Sequence, residues 1–81
     1  MPIKLHITYF ALLREQRGLS TEELQTSRFT ARDLYEELQA RYGFSLPAER
    51  VRVAVNDEFS PWEISLREGQ RIAFIPPVAG G

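Results

Sequence analysis

Arg71-Ile72-Ala73-Phe74-Ile75-Pro76-Pro77-Val78-Ala79-Gly80-Gly81 closes the chain and sets its architecture. Arg71 to Ile75 alternate on a two-residue period and are rich in β-forming residues, which predicts a strand. Pro76 and Pro77 end it, because a proline nitrogen has no hydrogen for a sheet ladder and its ring fixes φ near the extended value. No regular element can follow, so Val78 to Gly81 are expected to project from the fold. Five extended residues reach roughly 17 Å at about 3.3–3.6 Å each, enough to enter a deep pocket on a partner. Within the strand, the bulkier Ile72 and Phe74 are assigned to the core, which leaves Ala73 and Ile75 outward.

Upstream, Ile3 to Phe10 alternate in the same way. Ile3, Leu5, Ile7 and Tyr9 form the core face; Lys4, His6, Thr8 and Phe10 face out. Ala11 to Arg17 reads as a short helix closed by Gly18, with Leu12 and Leu13 capping one end of the core. Thr21 to Ser27 is a more polar strand whose main inward residue is Leu24, and its charge suits a sheet edge. Thr30 then caps a helix, with Asp33 favouring the positive end of its dipole. Ala31, Leu34, Tyr35, Leu38 and Tyr42 make one stripe at helical spacing, Glu37 and Arg41 pair across the outer face, and Gly43 terminates it. Arg50 to Asn56 is a strand with Val51, Val53 and Val55 inward, followed by an Asn56-Asp57 turn. Glu58 to Leu66 holds one short strand at most, with Phe59, Ile64 and Leu66 as core residues and Trp62 as half-buried packing. Gly69 supplies a positive φ before the last strand.

The order strand, strand, helix, strand, short strand, strand fits an α+β domain in which a mixed sheet of about five strands packs on one main helix. It matches the ubiquitin-like β-grasp, where first and last strands lie parallel and adjacent; that adjacency is taken from fold analogy. Residues 1–76 form the domain, and 77–81 form a flexible tail ending in two glycines. If the first and last strands are neighbours, Phe10 and Ile75 share an outer apolar patch at the root of the tail, with Ala73 and Arg14 as further contact residues.

At 81 residues the chain makes one small domain with a modest core. A net charge of −1 gives no nucleic-acid or anionic-membrane signal. No apolar run reaches membrane-spanning length and no signal peptide precedes the first strand, so cytoplasm is the expected location. With no cysteine and a single histidine, His6, neither a thiolate nucleophile nor a metal site is expected. His6 reads as a solvated surface residue.

The tail is where the chemistry points. A frayed terminus is the ordinary reading of a C-terminal diglycine. Here, however, a stiff Pro-Pro spacer aims the glycines and the residues before them are apolar. A terminal glycine carboxylate has no Cβ beside it, so it is the least hindered carboxylate a protein can offer. It can attack the α-phosphate of ATP and then accept a nucleophile at the same carbon, and glycines pass channels too narrow for side chains.

The Pro76-Pro77-Val78-Ala79-Gly80-Gly81 ending, Phe10-Ala11-Leu12-Leu13-Arg14-Glu15, Ala54-Val55-Asn56 and the Leu66 to Gly69 turn together resemble the small, sulfur-carrying subunit of molybdopterin synthase. The family often has acidic residues where Gln70 and Arg71 stand, so charge pairing with the activating enzyme at those positions is not carried over. The resemblance implies a non-catalytic sulfur donor, with no stably bound cofactor and with the catalytic groups on the large subunit. It implies that Gly81 is adenylated by a ubiquitin-activating-type adenylyltransferase using ATP and magnesium, and that a sulfur donor enzyme then converts it to a thiocarboxylate. Gly80 and Ala79 would give the tail its slim profile, with Pro76, Pro77 and Val78 as its guide into the large subunit of a heterotetramer. There the sulfur would attack cyclic pyranopterin monophosphate. The alternatives are a sulfur carrier of thiamine thiazole synthesis, which shares the fold and diglycine, a ubiquitin-like modifier joined to lysines, and a plain interaction module with an inert tail.

Overall fold

A computed structural model describes residues 2–77. Along the chain come β1 (Ile3–Tyr9), α1 (Ala11–Arg17), β2 (Thr21–Thr26), α2 (Ala31–Tyr42), a 3-10 turn (Ala48–Arg50), β3 (Arg52–Val55), β4 (Glu58–Ser60) and β5 (Arg71–Ile75). The five strands form one sheet in the order β2-β1-β5-β3-β4. β1 and β5 run parallel, Ile7 opposite Ile72 and Tyr9 opposite Phe74, while every other pairing is antiparallel. This is the ubiquitin-like β-grasp arrangement, with β5 at its centre.

The two-residue period puts Leu5, Ile7 and Tyr9, Val53 and Val55, and Ile72 and Phe74 on one face, where all are buried. Helix α2 lies against that face through Ala31, Leu34, Tyr35 and Leu38. Tyr35 meets Phe74 edge-on at 5.3 Å and stacks on Phe44 at 5.8 Å, and Trp62 stacks on Phe74 at 6.0 Å. Offset and edge-on aromatic pairs of this kind add roughly 0.5–1.5 kcal/mol each beyond area burial. Their polar tips are satisfied, since Tyr35 Oη donates to the Leu46 carbonyl (2.6 Å) and Trp62 Nε1 to that of Val51 (3.1 Å).

The first N–H groups of α2 all find acceptors. Ala31 N donates to Ile64 O, Arg32 N to Trp62 O, Asp33 N to Thr30 Oγ1 and Leu34 N to Thr30 O. The irregular stretch after β4 is thereby laced onto the helix, and this explains how so few regular residues hold it. Gly43 ends α2 at φ 74° and Gly18 ends α1 at φ 85°, both in the left-handed region.

Two expectations from sequence fail here. Leu12 is exposed while Leu13 is fully buried, because consecutive helical residues point about 100° apart and a two-turn helix offers the core one of them. Phe59 is 57% exposed. The tight turn at Asn56 and Asp57, both at positive φ, pairs Val55 with Glu58 and so sets Phe59 opposite Ala54, on the face away from α2. In β2, Leu24 is half-buried and Thr26 is the buried residue, its Oγ1 accepting from Arg28 N.

Candidate functional site at the root of the tail

β5 delivers the chain to its exit. It is hydrogen-bonded to β1 on one side and β3 on the other, and it ends at Ile75. Pro76 is buried and Pro77 exposed, so the spacer begins inside the fold and leaves it within one residue. A strand held on both sides is the stiffest mount a sheet provides, and the prolines extend that direction with fixed φ. Val78, Ala79, Gly80 and Gly81 lie outside the described residues.

Around the exit, the outer face carries Ala73 and Ile75 on β5, Arg52 and Ala54 on β3, and Phe59 on β4. The register sets Arg52 opposite Ile75, and Ala54 opposite both Ala73 and Phe59. Arg52 lies over the Phe59 ring, its guanidinium carbon 3.9 Å from the centroid, a cation–π contact that holds the aromatic in place. Between β4 and the exit runs a groove of about 420 Å³, lined among others by Arg50, Arg52, Phe59, Ile75, Pro76 and Pro77. On the other side of β5, the β1 register carried one residue past Tyr9 brings Phe10 level with Ile75. Phe10 is 43% exposed. It caps α1 with extended backbone (φ −121°, ψ 150°), and its carbonyl accepts from Leu13 N and Arg14 N. Arg14 is exposed on α1, and its carbonyl accepts from Gly18 N. Ala73 and Ile75 are half-buried.

Phe59 and Arg52 are thus the surface residues that sequence reasoning passed over. The signal was present. A two-residue turn after Val55 fixes Phe59 across from Ala54, and Ala54 lies between two inward valines.

Away from the exit, the outer face turns polar, with Lys4, His6 and Thr8 beside Gln25, Glu23 and Thr21. His6 Nδ1 lies 3.3 Å from Glu23. Arg71 pairs with Asp57 at 2.6 Å in full view of solvent. An exposed pair of this sort adds little stability, and it keeps Arg71 occupied at the start of β5.

Beside α1, a buried-edge network ties four elements together. Arg17 donates from both Nε (2.9 Å) and Nη2 (2.8 Å) to the Glu22 carboxylate. Tyr9 Oη donates to the same carboxylate at 2.7 Å, and Arg17 stacks over Tyr42 at 3.9 Å. Arg17 holds the Glu22 carboxyl below its ordinary value, Tyr9's hydroxyl adding to the effect against partial burial. Burial first, and then Glu22, push the Tyr9 phenol far above its usual range. No functional group is left free here; the network is structural. Among the described residues, no three acidic, histidine or cysteine side chains come together to hold a metal, and no helix is long and apolar enough to cross a membrane.

A family model, the ThiS family, matches residues 7–81. The chain belongs to the ThiS family. Over 82 residues it is 35% identical to the molybdopterin synthase sulfur carrier subunit of Mycobacterium tuberculosis, covering 98% of this chain and 99% of that one. The protein of the same name from Haemophilus influenzae is 32% identical over 80 residues, covering 95% of this chain and 99% of the relative. Among solved structures, the Haloferax volcanii HVO 2177 protein superposes with a TM-score of 0.80 at 25% identity, over 99% of this chain and 88% of that one. The family likeness therefore extends through β5 and on to Gly81.

Proposed function

We propose that this chain is the sulfur-carrying small subunit of molybdopterin synthase, with the Gly81 carboxylate as the atom group that carries the sulfur. The observation that carries the reading is full-length likeness to two subunits of that name, 35% and 32% identical, in a chain whose central strand runs through two prolines to a C-terminal diglycine. The domain's part is mechanical. It holds β5 rigid, aims the tail, and presents the apolar patch of Phe10, Ala73, Ile75 and Phe59 for docking on the large subunit, with Arg14 and Arg52 at its rim.

The chemistry then belongs to partners. A carboxylate oxygen of Gly81 attacks the α-phosphate of ATP, held with magnesium by an adenylyltransferase of the ubiquitin-activating type, and pyrophosphate leaves. Sulfide delivered by a donor enzyme attacks the carbonyl carbon, AMP leaves with the bonding electrons, and loss of the proton leaves a thiocarboxylate. In the large subunit that sulfur attacks cyclic pyranopterin monophosphate, water cleaves its bond to the Gly81 carbonyl and restores the carboxylate, and two such deliveries build the dithiolene. Splitting one hard transfer into two easier ones through a covalent carrier is the gain. Ala79, Gly80 and Val78 would thread the channel behind it.

Intact-mass measurement of the protein isolated from cells tests this directly. The expected result is replacement of one terminal oxygen by sulfur, absent when Gly81 is deleted, with product formation by purified synthase falling more than about 1,000-fold, as when a covalent nucleophile is removed. Full activity of the truncated chain sinks the reading, and so do lysine-linked adducts with no sulfur-loaded form, which point to a modifier.

A further inference from the structure

Among the ten cationic residues of this chain there is one lysine, Lys4; the other nine are arginines, and there is no cysteine. An arginine guanidinium stays protonated and does not accept an acyl group, whereas a lysine amine does once deprotonated. Lys4 is exposed on the outer face of β1, at the end of the sheet remote from the exit. Its position along β5 is fixed by two hydrogen bonds. Gly69 N donates to the Lys4 carbonyl at 2.8 Å, and Lys4 N donates to Glu68 Oε1 at 2.9 Å. Lys4 is therefore level with Gly69, eight residues before Pro77, which corresponds to about 26 Å at about 3.3 Å per strand residue. Four residues from Pro77 to Gly81 extend at most about 14 Å, and a lysine side chain adds about 6 Å. The two fall short of meeting by several ångströms. Pro2 sits at the same far end, beside Gln25 and Thr26. The cations that do stand at the exit, Arg50 and Arg52, supply positive charge without a nucleophile.

We infer that the fold keeps its only side-chain amine beyond reach of its own C-terminal carbonyl, so that an activated Gly81 is not attacked by Lys4 of the same molecule, and that Lys4 is the one side chain through which a second copy can be acylated. This rests on the reading that Gly81 becomes activated. The reaction avoided is an aminolysis. The unprotonated lysine nitrogen attacks the Gly81 carbonyl carbon and an amide forms. The bond to the leaving group breaks, taking its electron pair with AMP or a thiol, and the amine's proton passes to water. No oxidation or reduction is involved. A carrier that closed on itself in this way would be lost permanently, since an amide does not release its acyl group to a sulfur donor.

The full chain carrying a chemically installed Gly81 thioester tests the placement independently of any activating enzyme. The wild type is expected to give no amide to its own Lys4 in dilute solution, and at high concentration a Lys4-linked dimer that disappears in Lys4→Arg. Arg52→Lys, which moves an amine to the exit, is expected to cyclise, with a mass one water below the acid and a branch mapping to residue 52. At about 10 μM protein its amide should form about 100-fold faster than any intermolecular one, given an effective concentration on the order of 1 mM for a short tether. Wild type cyclised at Lys4 overturns the inference, as does Arg52→Lys remaining linear. Failure to find sulfur-loaded protein in cells, by contrast, bears on the proposed function and leaves this geometry standing.

Discussion

The two faces of the sheet treat aromatic residues in opposite ways. On the inner face, Tyr9, Tyr35, Phe44 and Phe74 are all at most 4% exposed. They touch one another, and the two tyrosine hydroxyls end on Glu22 and the Leu46 carbonyl. On the outer face, Phe59 and Phe10 remain half open, and the ring of Phe59 is covered by the Arg52 guanidinium. The outer face is itself divided. Its β2–β1 half is a solvated array of Glu23, Gln25, Lys4 and His6, while the half around β5 and β4 is apolar. A surface that needed only to stay soluble would be polar throughout; the apolar half lies where the chain leaves the domain. Burial inside stabilises the fold, and exposure at the exit is available for a partner.

The largest effect is expected on the inner face. Phe74→Ala removes the ring that Tyr9, Tyr35 and Trp62 all pack against and should cost about 3–5 kcal/mol in urea unfolding. A cost below about 1 kcal/mol would mean that the cluster is looser than its geometry implies, and the contrast between the faces would lose its basis.

On the outer face the same test should separate stability from binding. Phe59→Asp is expected to change unfolding free energy by about 1 kcal/mol or less, the size of the exposed contact with Arg52, yet to weaken binding to the large subunit by about 2 kcal/mol, or roughly 30-fold. Ile75→Asp and Phe10→Asp sharpen the map, since Ile75 ends β5 at the exit and Phe10 stands beside it on the β1 side. Titration calorimetry with the purified large subunit decides it, and unchanged affinity across all three removes the patch from the interface.

How far this contrast could be read in advance depends on what sets each residue's face. Where a strand is long, alternation decides, and Leu5, Ile7, Tyr9, Ile72 and Phe74 were legible at once. Thr30, Asp33 and Gly43 carried the limits of α2 because capping is a local event between neighbours. Phe59 was misplaced because three residues are too few for a period, and the turn that fixes their register had to be carried through residue by residue. Leu12 was misplaced because hydrophobicity alone does not choose between adjacent helical positions. The Arg17–Glu22–Tyr9 network was invisible, being assembled from α1, β2 and β1 by the fold itself. The direction of the exit followed from Pro76 and Pro77, whereas the readings placed on Val78 to Gly81 lie outside the described residues.

That network closes the inner face at the edge of the core, and it makes the pH response of the domain specific. Arg17, donating twice to Glu22, holds its carboxyl below the ordinary 4.5. As pH falls, the unfolded chain therefore takes up the proton first. The stabilisation is complete above about pH 4.5 and drains away as pH drops through the lower folded value. At the alkaline end, burial raises Tyr35 to about 12, so the unfolded phenol ionises first and stability declines from about pH 10 upward. Glu22→Gln keeps the shape and an acceptor for Tyr9 but removes the charge facing Arg17. It should cost about 1.5–3 kcal/mol at pH 7, the range for a hydrogen bond to a charged group, and that deficit should shrink as pH falls below about 4.5 while the loss above pH 10 persists. Urea midpoints at pH 3, 7 and 11 measure all three, and parallel acid limbs in variant and wild type would detach Glu22 from the acid response altogether.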